Sequence, residues 1–305
     1  MDNISASTIN ELFVQKLNSP EGLNKVAQEG SAFIRSKLRE VSFARKVIQP
    51  EYVTKADLQR SINHDGLVKI VDIEPDSKAA VVNFRGNPDT NYLQGTRYEI
   101  PFFMISSDDF QKTEEELLAY EMPLTEVIER NSVKDIQRIE DSKFISTVDA
   151  NIGSNTAAVG YETTPSGAHK KSSFETLFNF LDSQELRAET ILMGNTMFNK
   201  LFLWDATSVG DAVGSEVSVN GYSYSTLFGR KLIVSNKVSL LRNTAGTSDH
   251  IYTFASQEFL GNFFVLNDTK FFIEKKKNVI SFSAYETLGM GIGNTKSMGR
   301  LVCTA

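Results

Sequence analysis

The longest uninterrupted helical pattern in this chain of 305 residues runs from Pro123 to Ile152, and it limits the folds open to the rest. Apolar residues at Leu124, Val127, Ile128, Ile136, Ile139, Ile145 and Val148 recur at helical spacing. Pro123 suits a first turn, where a missing N–H costs nothing, and Gly153 suits the position just past the end. Such a helix spans about 40 Å, longer than a small domain is wide, and predicts a strut along which other elements lie. Its outer face is expected to present Glu126, Glu129, Arg130, Lys134, Arg138, Glu140 and Asp141 to solvent or neighbours. The adjacent carboxylates Glu140 and Asp141 read as part of that solvated face.

The length suffices for about two domains with real cores. The 21 phenylalanines exclude a disordered composition. No apolar run approaches a membrane span, and the opening residues lack the basic-then-apolar order of a secretory signal, so a soluble intracellular product is expected. Cys303, the single cysteine, cannot form an internal disulfide and reads as an inert strand residue. The net charge of −6 argues against a protein that coats nucleic acid. Its distribution is uneven: Ser107 to Asp141 holds eleven acidic and four basic residues, whereas Ser31 to Lys46 carries Arg35, Lys37, Arg39, Arg45 and Lys46 against Glu40. An acidic strut and a basic arm can pair between copies, or both can be ordinary solvated faces.

Along the chain, Thr8 with Glu11 forms a capping-box pattern ahead of Ile9, Leu12, Phe13 and Leu17. Ser19-Pro20-Glu21 starts a second helix, expected to be interrupted at Gly30 before it continues through Phe33, Ile34, Leu38 and Val41. Two thin amphipathic helices bury too little surface alone, so this region reads as an arm that docks elsewhere. Between Leu67 and Ser106 the period changes to two, with turn compositions at Glu74 to Ser77 and Gly86 to Asp89. The result is a long two-stranded hairpin whose tip is poor in large apolar residues. It is either a functional loop or an arm laid over a neighbouring subunit. Thr113 and Glu116 cap a short helix before the strut. Gly153 to Lys171 reads as a loop or junction. From Ser172, whose capping partner is Glu175, the order helix, strand Thr190–Met193, helix predicts a compact α/β region. A hairpin turn is expected at Asn220-Gly221 and a buried strand over Leu227–Val234. Last comes an antiparallel hairpin turning near Lys275 to Asn278, whose apolar face should pack on the strut.

Catalytic arrangements do not emerge from the sequence. His64, His169 and His250 are scattered in or beside polar turns, without metal-ligand spacing or a His-Asp-Ser grouping. Gly289, Gly291 and Gly293 resemble a fragment of a dinucleotide fingerprint, but they lack the strand-to-helix context that cradles phosphate. No cofactor is expected.

This order of elements resembles the major capsid proteins of tailed bacteriophages. Supporting stretches are Glu140-Asp141 late in the strut, Leu227-Phe228-Gly229 before an apolar strand, and Phe272-Ile-Glu-Lys-Lys-Lys-Asn-Val-Ile-Ser-Phe-Ser-Ala-Tyr-Glu-Thr-Leu288. The resemblance covers nearly the whole chain and implies an α+β fold. Its parts would be an N-terminal arm (1–50), an extended two-stranded loop (67–106), a peripheral domain with the spine helix (107–171 and 250–290) and an axial α/β domain (172–249 and 291–305). It further implies self-assembly as hexamers and pentamers into an icosahedral shell around double-stranded DNA, without sequence-specific DNA contact and without a membrane. A portal is the implied partner, as are scaffolding or decoration proteins. A built-in scaffold of about a hundred charged helical residues ahead of the arm, found in some relatives, is not expected, which implies a separate scaffolding protein or none. The virion capsid, after assembly in the host cytoplasm, would be its location. Inter-subunit contacts would fall on Asn87, Pro88, Asp89, Tyr92, Gln94 and Arg97 of the loop, and on Arg35, Arg39, Glu126, Glu129 and Arg130 of the arm and spine. An encapsulin-type compartment shell, sharing the fold, and a small-ligand enzyme are the alternatives.

Overall fold

The computed structural model describes residues 6–61, 65–73, 81–82, 86, 95–119, 124–152, 161–164, 171–201, 226–238 and 248–304. Its spine is α5 (Leu124–Ile152), whose buried positions follow one another at intervals of four: Ile128, Ser132, Ile136, Glu140, Phe144, Val148 and Ile152, flanked by Val133, Gln137, Asp141 and Ile145. A helix repeats every 3.6 residues or so, and a stripe spaced by four therefore drifts around the axis, by about 240° over this length. Different elements cover different turns. The expected strut is present, but its buried face is not a straight apolar stripe, and Ile139, expected inside, is 44 % exposed.

Helices α1 (Ala6–Leu17), α2 (Pro20–Val41) and α3 (Ala44–Val47) lead to the spine. Helix α1 starts before the Thr8 capping pattern, whereas Ser19 caps α2 as expected, its Oγ accepting the Gly22 N–H at 3.2 Å. Helix α2 runs unbroken through Gly30. A side chain there would meet the Phe271 ring at 2.8 Å, and so the glycine permits close approach without interrupting the helix. The expectation of an arm that docks elsewhere is corrected: Phe13, Val14, Leu17, Val26 and Ile34 are buried in the same core as the spine. Phe13 stacks on Phe282 at 6.2 Å, and Ser31 Oγ accepts the Phe271 N–H at 2.8 Å.

A seven-stranded sheet contains β1 (Glu51–Tyr52), β2 (Gln59–Arg60), β3 (Leu67–Ile73), β4 (Thr96–Ser106), β5 (Phe110–Thr113), β11 (Gly261–Lys276) and β12 (Val279–Ile292). Strands run in the order β1-β11-β12-β4-β3-β2, with β5 also beside β12. The carboxy-terminal hairpin is as expected, and its apolar face packs on α5. Strand β4 changes partner midway: Thr96 to Pro101 pair with β3, and Phe102 to Ser106 pair with β12. The first half leaves the body as a two-stranded ribbon. Gly289 and Gly291 lie in β12, where a Cβ at Gly291 would stand 2.5 Å from Ile100 Cγ1, so this glycine run serves close strand packing. Helix α4 (Glu114–Ala119) carries the expected capping box: Thr113 N–H donates to Glu116 at 3.0 Å, and Glu116 N–H returns to Thr113 Oγ1 at 3.3 Å.

The second sheet has the order β6-β13-β10-β7-β9-β8 and is formed by β6 (Tyr161–Thr164), β7 (Thr190–Met193), β8 (Thr226–Leu227), β9 (Arg230–Val234), β10 (Ser248–Phe254) and β13 (Met298–Thr304). Helices α6 (Lys171–Ser183) and α7 (Asn195–Lys200) cover one face. Helix α6 already includes Ser172, expected as its cap. The other face packs toward the spine: Leu192, Ile233, Tyr252, Phe254 and Met298 belong to the spine core, whereas Ile191, Met193, Leu232, Ile251, Leu301 and Cys303 belong to the α6–α7 core. A sheet covered on both faces needs apolar residues at successive positions, as in Thr190–Met193.

This pairing differs from expectation at several points. Tyr161–Thr164 is a strand inside the expected loop and pairs with β13. Residues 250–254 lie in the second sheet, and Gly291–Ile292 in the first. Leu227–Val234 is not one strand: Phe228 (φ 53°) and Gly229 (φ 71°) make a two-residue hairpin turn between β8 and β9. His250 lies within β10 rather than a turn. The hairpin at Asn220-Gly221, His64 and His169 lie outside the described residues. Among the described residues no helix is long and apolar enough to cross a membrane.

Substituting Gly291→Ala forces Ile100 aside and is expected to cost about 1–3 kcal/mol in urea unfolding. Combined with Ile100→Ala it should cost clearly less than the sum of the two, because the truncation vacates the space that the new methyl needs.

Candidate assembly site and the charge cluster that positions it

Strand alternation turns Ile280, Phe282, Ala284, Glu286 and Leu288 of β12 inward, and the four-residue spacing turns Glu140 and Asp141 of α5 toward the same place. All three carboxylates are 0 % exposed. The corner between α2 and α3 supplies their partner. Arg45 Nε donates to both Glu140 oxygens at 3.0 and 3.1 Å, and its Nη2 donates to Glu140 Oε2 at 3.0 Å and Glu286 Oε2 at 2.9 Å. Ser42 Oγ lies 2.8 Å from Glu140 Oε1 and 3.0 Å from Asp141 Oδ1, and Ala44 N–H donates to Asp141 at 3.2 Å. Thr269 Oγ1 donates to Glu286 at 2.9 Å, and the guanidinium lies over the Phe263 ring at 5.8 Å. On the second-sheet side, Lys237 Nζ approaches Asp141 to 3.8 Å.

Burial sets the electrostatics. Burial pushes the Asp141 carboxyl up to about 6, reinforced by Glu140 and opposed by the Ala44 N–H, Lys237 and Ser42. Glu286 is raised to about 7 by burial and the charge of Glu140, against the pull of Arg45. Burial also opposes the charge on Arg45, but Glu140 and Glu286 outweigh it and hold the guanidinium firmly protonated. Lys237 is lowered, mainly by burial. The reading of Glu140 and Asp141 as solvated is therefore corrected. Arg45 and the acidic spine pair inside one chain.

A second polar contact ties the far end of the spine. Asp149 Oδ1 accepts Arg300 Nη1 at 2.9 Å and the Tyr252 hydroxyl at 3.0 Å, and His250 Nδ1 lies 3.1 Å from that hydroxyl. Phe144 bridges the two regions, with ring centroids 6.2 Å from Phe43 and 5.8 Å from Phe254.

The expected contact residues are not gathered into one place. Arg97 stands toward the outer end of the β3–β4 ribbon, paired with Asp72 at 2.7 Å, with both side chains 71 % exposed; pairs of this kind contribute about 0–1 kcal/mol. Glu129 is half-buried beside Gly30 of α2, and Arg130 is exposed. Arg35 and Arg39 belong to the last turns of α2 and Glu126 to the first turn of α5. Asn87, Pro88, Asp89, Tyr92 and Gln94 lie outside the described residues. The ribbon leaves Leu67 and Ile73 exposed, as is Met104 in the half of β4 paired with β12, whereas Val68 and Ile100 are buried. Sequence reasoning missed Ser42, Arg45, Thr269 and Glu286 as a unit. The signal for Glu286 was its place in an apolar alternation, and for Glu140 and Asp141 the spacing of four on either side.

No protein-family model and no curated protein matches this sequence. Solved structures do match. The chain is similar to a subunit from the capsid of the native GTA particle (14 % identity, TM-score 0.61, covering 87 % of this chain and 91 % of that one). It is also similar to a chain of the mature capsid of bacteriophage PhiM1 (10 %, 0.59, 85 % and 86 %) and to one from the capsid of cyanophage P-SCSP1u (12 %, 0.58, 77 % and 82 %). The fold is that of tailed-phage major capsid subunits.

Replacing Arg45 by alanine strands the carboxylates without their counter-ion and is expected to destabilise the subunit by about 3–5 kcal/mol in chemical unfolding at neutral pH. Asp72→Ala at the ribbon should cost less than about 1 kcal/mol in the same assay.

Proposed function

We propose that this chain is a major capsid protein: a structural subunit, not an enzyme, that self-assembles as hexamers and pentamers into an icosahedral shell packaging double-stranded DNA. The observation that carries this reading is the match of fold to capsid subunits over most of both chains. The β3–β4 ribbon supports it, because its exposed apolar residues Leu67 and Ile73 gain little from standing alone and gain more on another subunit.

Assembly then follows from heterologous contacts. A surface on one copy meets a different surface on the next, and the ring closes at five or six where the rotation permits. A ribbon that reaches its neighbour raises the effective concentration of every other contact between the pair. In this reading Asn87, Pro88, Asp89, Tyr92, Gln94 and Arg97 touch the adjacent subunit, and Arg35, Arg39, Glu126, Glu129 and Arg130 line further contacts. The spine and the carboxy-terminal hairpin form the peripheral domain, and the second sheet with its helices forms the axial domain. A portal, scaffolding or decoration proteins and DNA held without sequence preference are the partners. Assembly takes place in the host cytoplasm and ends in the virion.

Electron microscopy of the purified chain tests the reading directly: closed icosahedral particles are expected, and small oligomers at every concentration would overturn it. Deleting Asn87 to Gln94 should leave a folded, soluble subunit that no longer closes shells, with circular dichroism unchanged and particles absent from micrographs.

A further inference from the structure

Helix α5 sorts its charges by sign. Over Leu124–Ile152 it holds six acidic and four basic residues, yet its exposed charged side chains are Arg130, Lys134, Arg138 and Lys143, all cations. The acids are turned the other way. Glu140 and Asp141 are buried against Arg45 and Ser42, Asp149 is held by Arg300 and Tyr252, and half-buried Glu129 has its carboxylate beside Gly30 of α2.

The outer row follows the same drift as the buried one. Arg130, Lys134 and Arg138 stand at intervals of four, about 6 Å apart along the axis, and Lys143 follows after one more turn, so that the row is about 20 Å long. Lys134, Arg138 and Lys143 form no ion pair among the described residues. The carboxylate beside the row is half-buried Asp135, on which Lys134, Arg138 and also Asp108, between β4 and β5, act electrostatically. One carboxylate, itself facing a second acid, does not neutralise three cations. Lys143 Nζ lies over the Phe103 ring of β4 at 5.7 Å, which keeps its charge close to the helix. A helix face meant only for solvent usually alternates in sign, and like charges four residues apart weaken a helix slightly. This face keeps such pairs, which points to a ligand that supplies the opposite charge.

We propose that this row is the surface on which the subunit holds the phosphate backbone of double-stranded DNA. The identity of the polyanion rests on the capsid reading above. Duplex DNA carries one negative charge per about 1.7 Å of its axis, so it accepts a row of cations in any register and needs no base contact. The chain as a whole carries a net charge of −6, and attraction is therefore confined to this face. A few phosphates per subunit bind weakly, and a shell that repeats the row in every copy holds the duplex by number. Because α5 packs on one face of the carboxy-terminal hairpin, that side of the first sheet is the inner side of the shell.

Fluorescence anisotropy of a labelled duplex of about 20 base pairs, titrated with the unassembled full chain at about 50 mM salt, tests this. Binding should weaken as salt rises. Replacing Lys134, Arg138 and Lys143 together by glutamine should lower affinity at least about tenfold and reduce the slope of log affinity against log salt by about 2–3. All three side chains are exposed, so circular dichroism should not change. If the triple variant nevertheless fails to fold, Lys134→Gln alone should lower the slope by about 1. Glutamine at Lys276 and Lys277, exposed lysines of the hairpin turn outside the row, should leave affinity and slope as in wild type. The proposal is overturned by a wild-type chain that binds no duplex, by row variants that bind as well as wild type, or by an equal loss in the Lys276 and Lys277 variant. Tighter binding of polyglutamate than of the duplex also overturns it, by making an acidic polypeptide the occupant. Closed particles without duplex binding strike this inference and leave the capsid reading standing, whereas duplex binding through the row by a chain that never closes shells does the reverse.

Discussion

The bond from Arg45 to Glu140 and Glu286 is the contact on which the placement of everything else depends. It joins three elements far apart in the chain, since Glu140 lies 95 residues and Glu286 241 residues beyond the arginine. Taking these charges out of water is costly, and their attraction and hydrogen bonds offset that cost only when geometry is good. The physical consequence is orientation. Apolar packing between a helix and a sheet tolerates sliding, whereas a forked guanidinium bonded to two carboxylates on different elements admits one register. Ser42 and the Ala44 N–H add directed bonds to the same turn of α5.

From that anchor the drift of the buried stripe distributes the rest. Early turns of α5 face α2 and the carboxy-terminal hairpin, the middle turns face the α2–α3 corner, and the last turns face the second sheet, where Asp149 meets Arg300 and Tyr252. A single helix thus organises two sheets, and the second sheet, buried on both faces, passes packing from the spine core to the α6–α7 core. The β3–β4 ribbon departs from this rigid frame where β4 changes partner. Its base is therefore well placed, with Ile100 packed against Gly291, even though little of its own surface is buried.

The chain shares its fold with capsid chains to which it is only 10–14 % identical. What the frame requires is a spine with inward positions at regular intervals, a long alternating hairpin and a sheet apolar on both sides. Many residue choices satisfy such a pattern, so the architecture persists while sequence similarity falls below what sequence comparison finds.

Local signals in the sequence determined much of the architecture: the extent of α5, the carboxy-terminal hairpin, the caps at Ser19 and Thr113 and the apolar strand at Thr190. Each depends on residues within a few positions of one another, which is where backbone propensity and periodicity act. Tertiary structure alone decided which charges are inside. Glu140 and Asp141 look like their exposed neighbours Lys134 and Arg138 until the drift of the helix face is known. Phe228-Gly229 looks like strand until its backbone is seen to turn. The basic corner looks like an arm for another copy until Arg45 is found facing acids of its own chain. The reason is one of distance: periodicity is a property of neighbours along the chain, whereas the energy of a charge is set by what surrounds it in space.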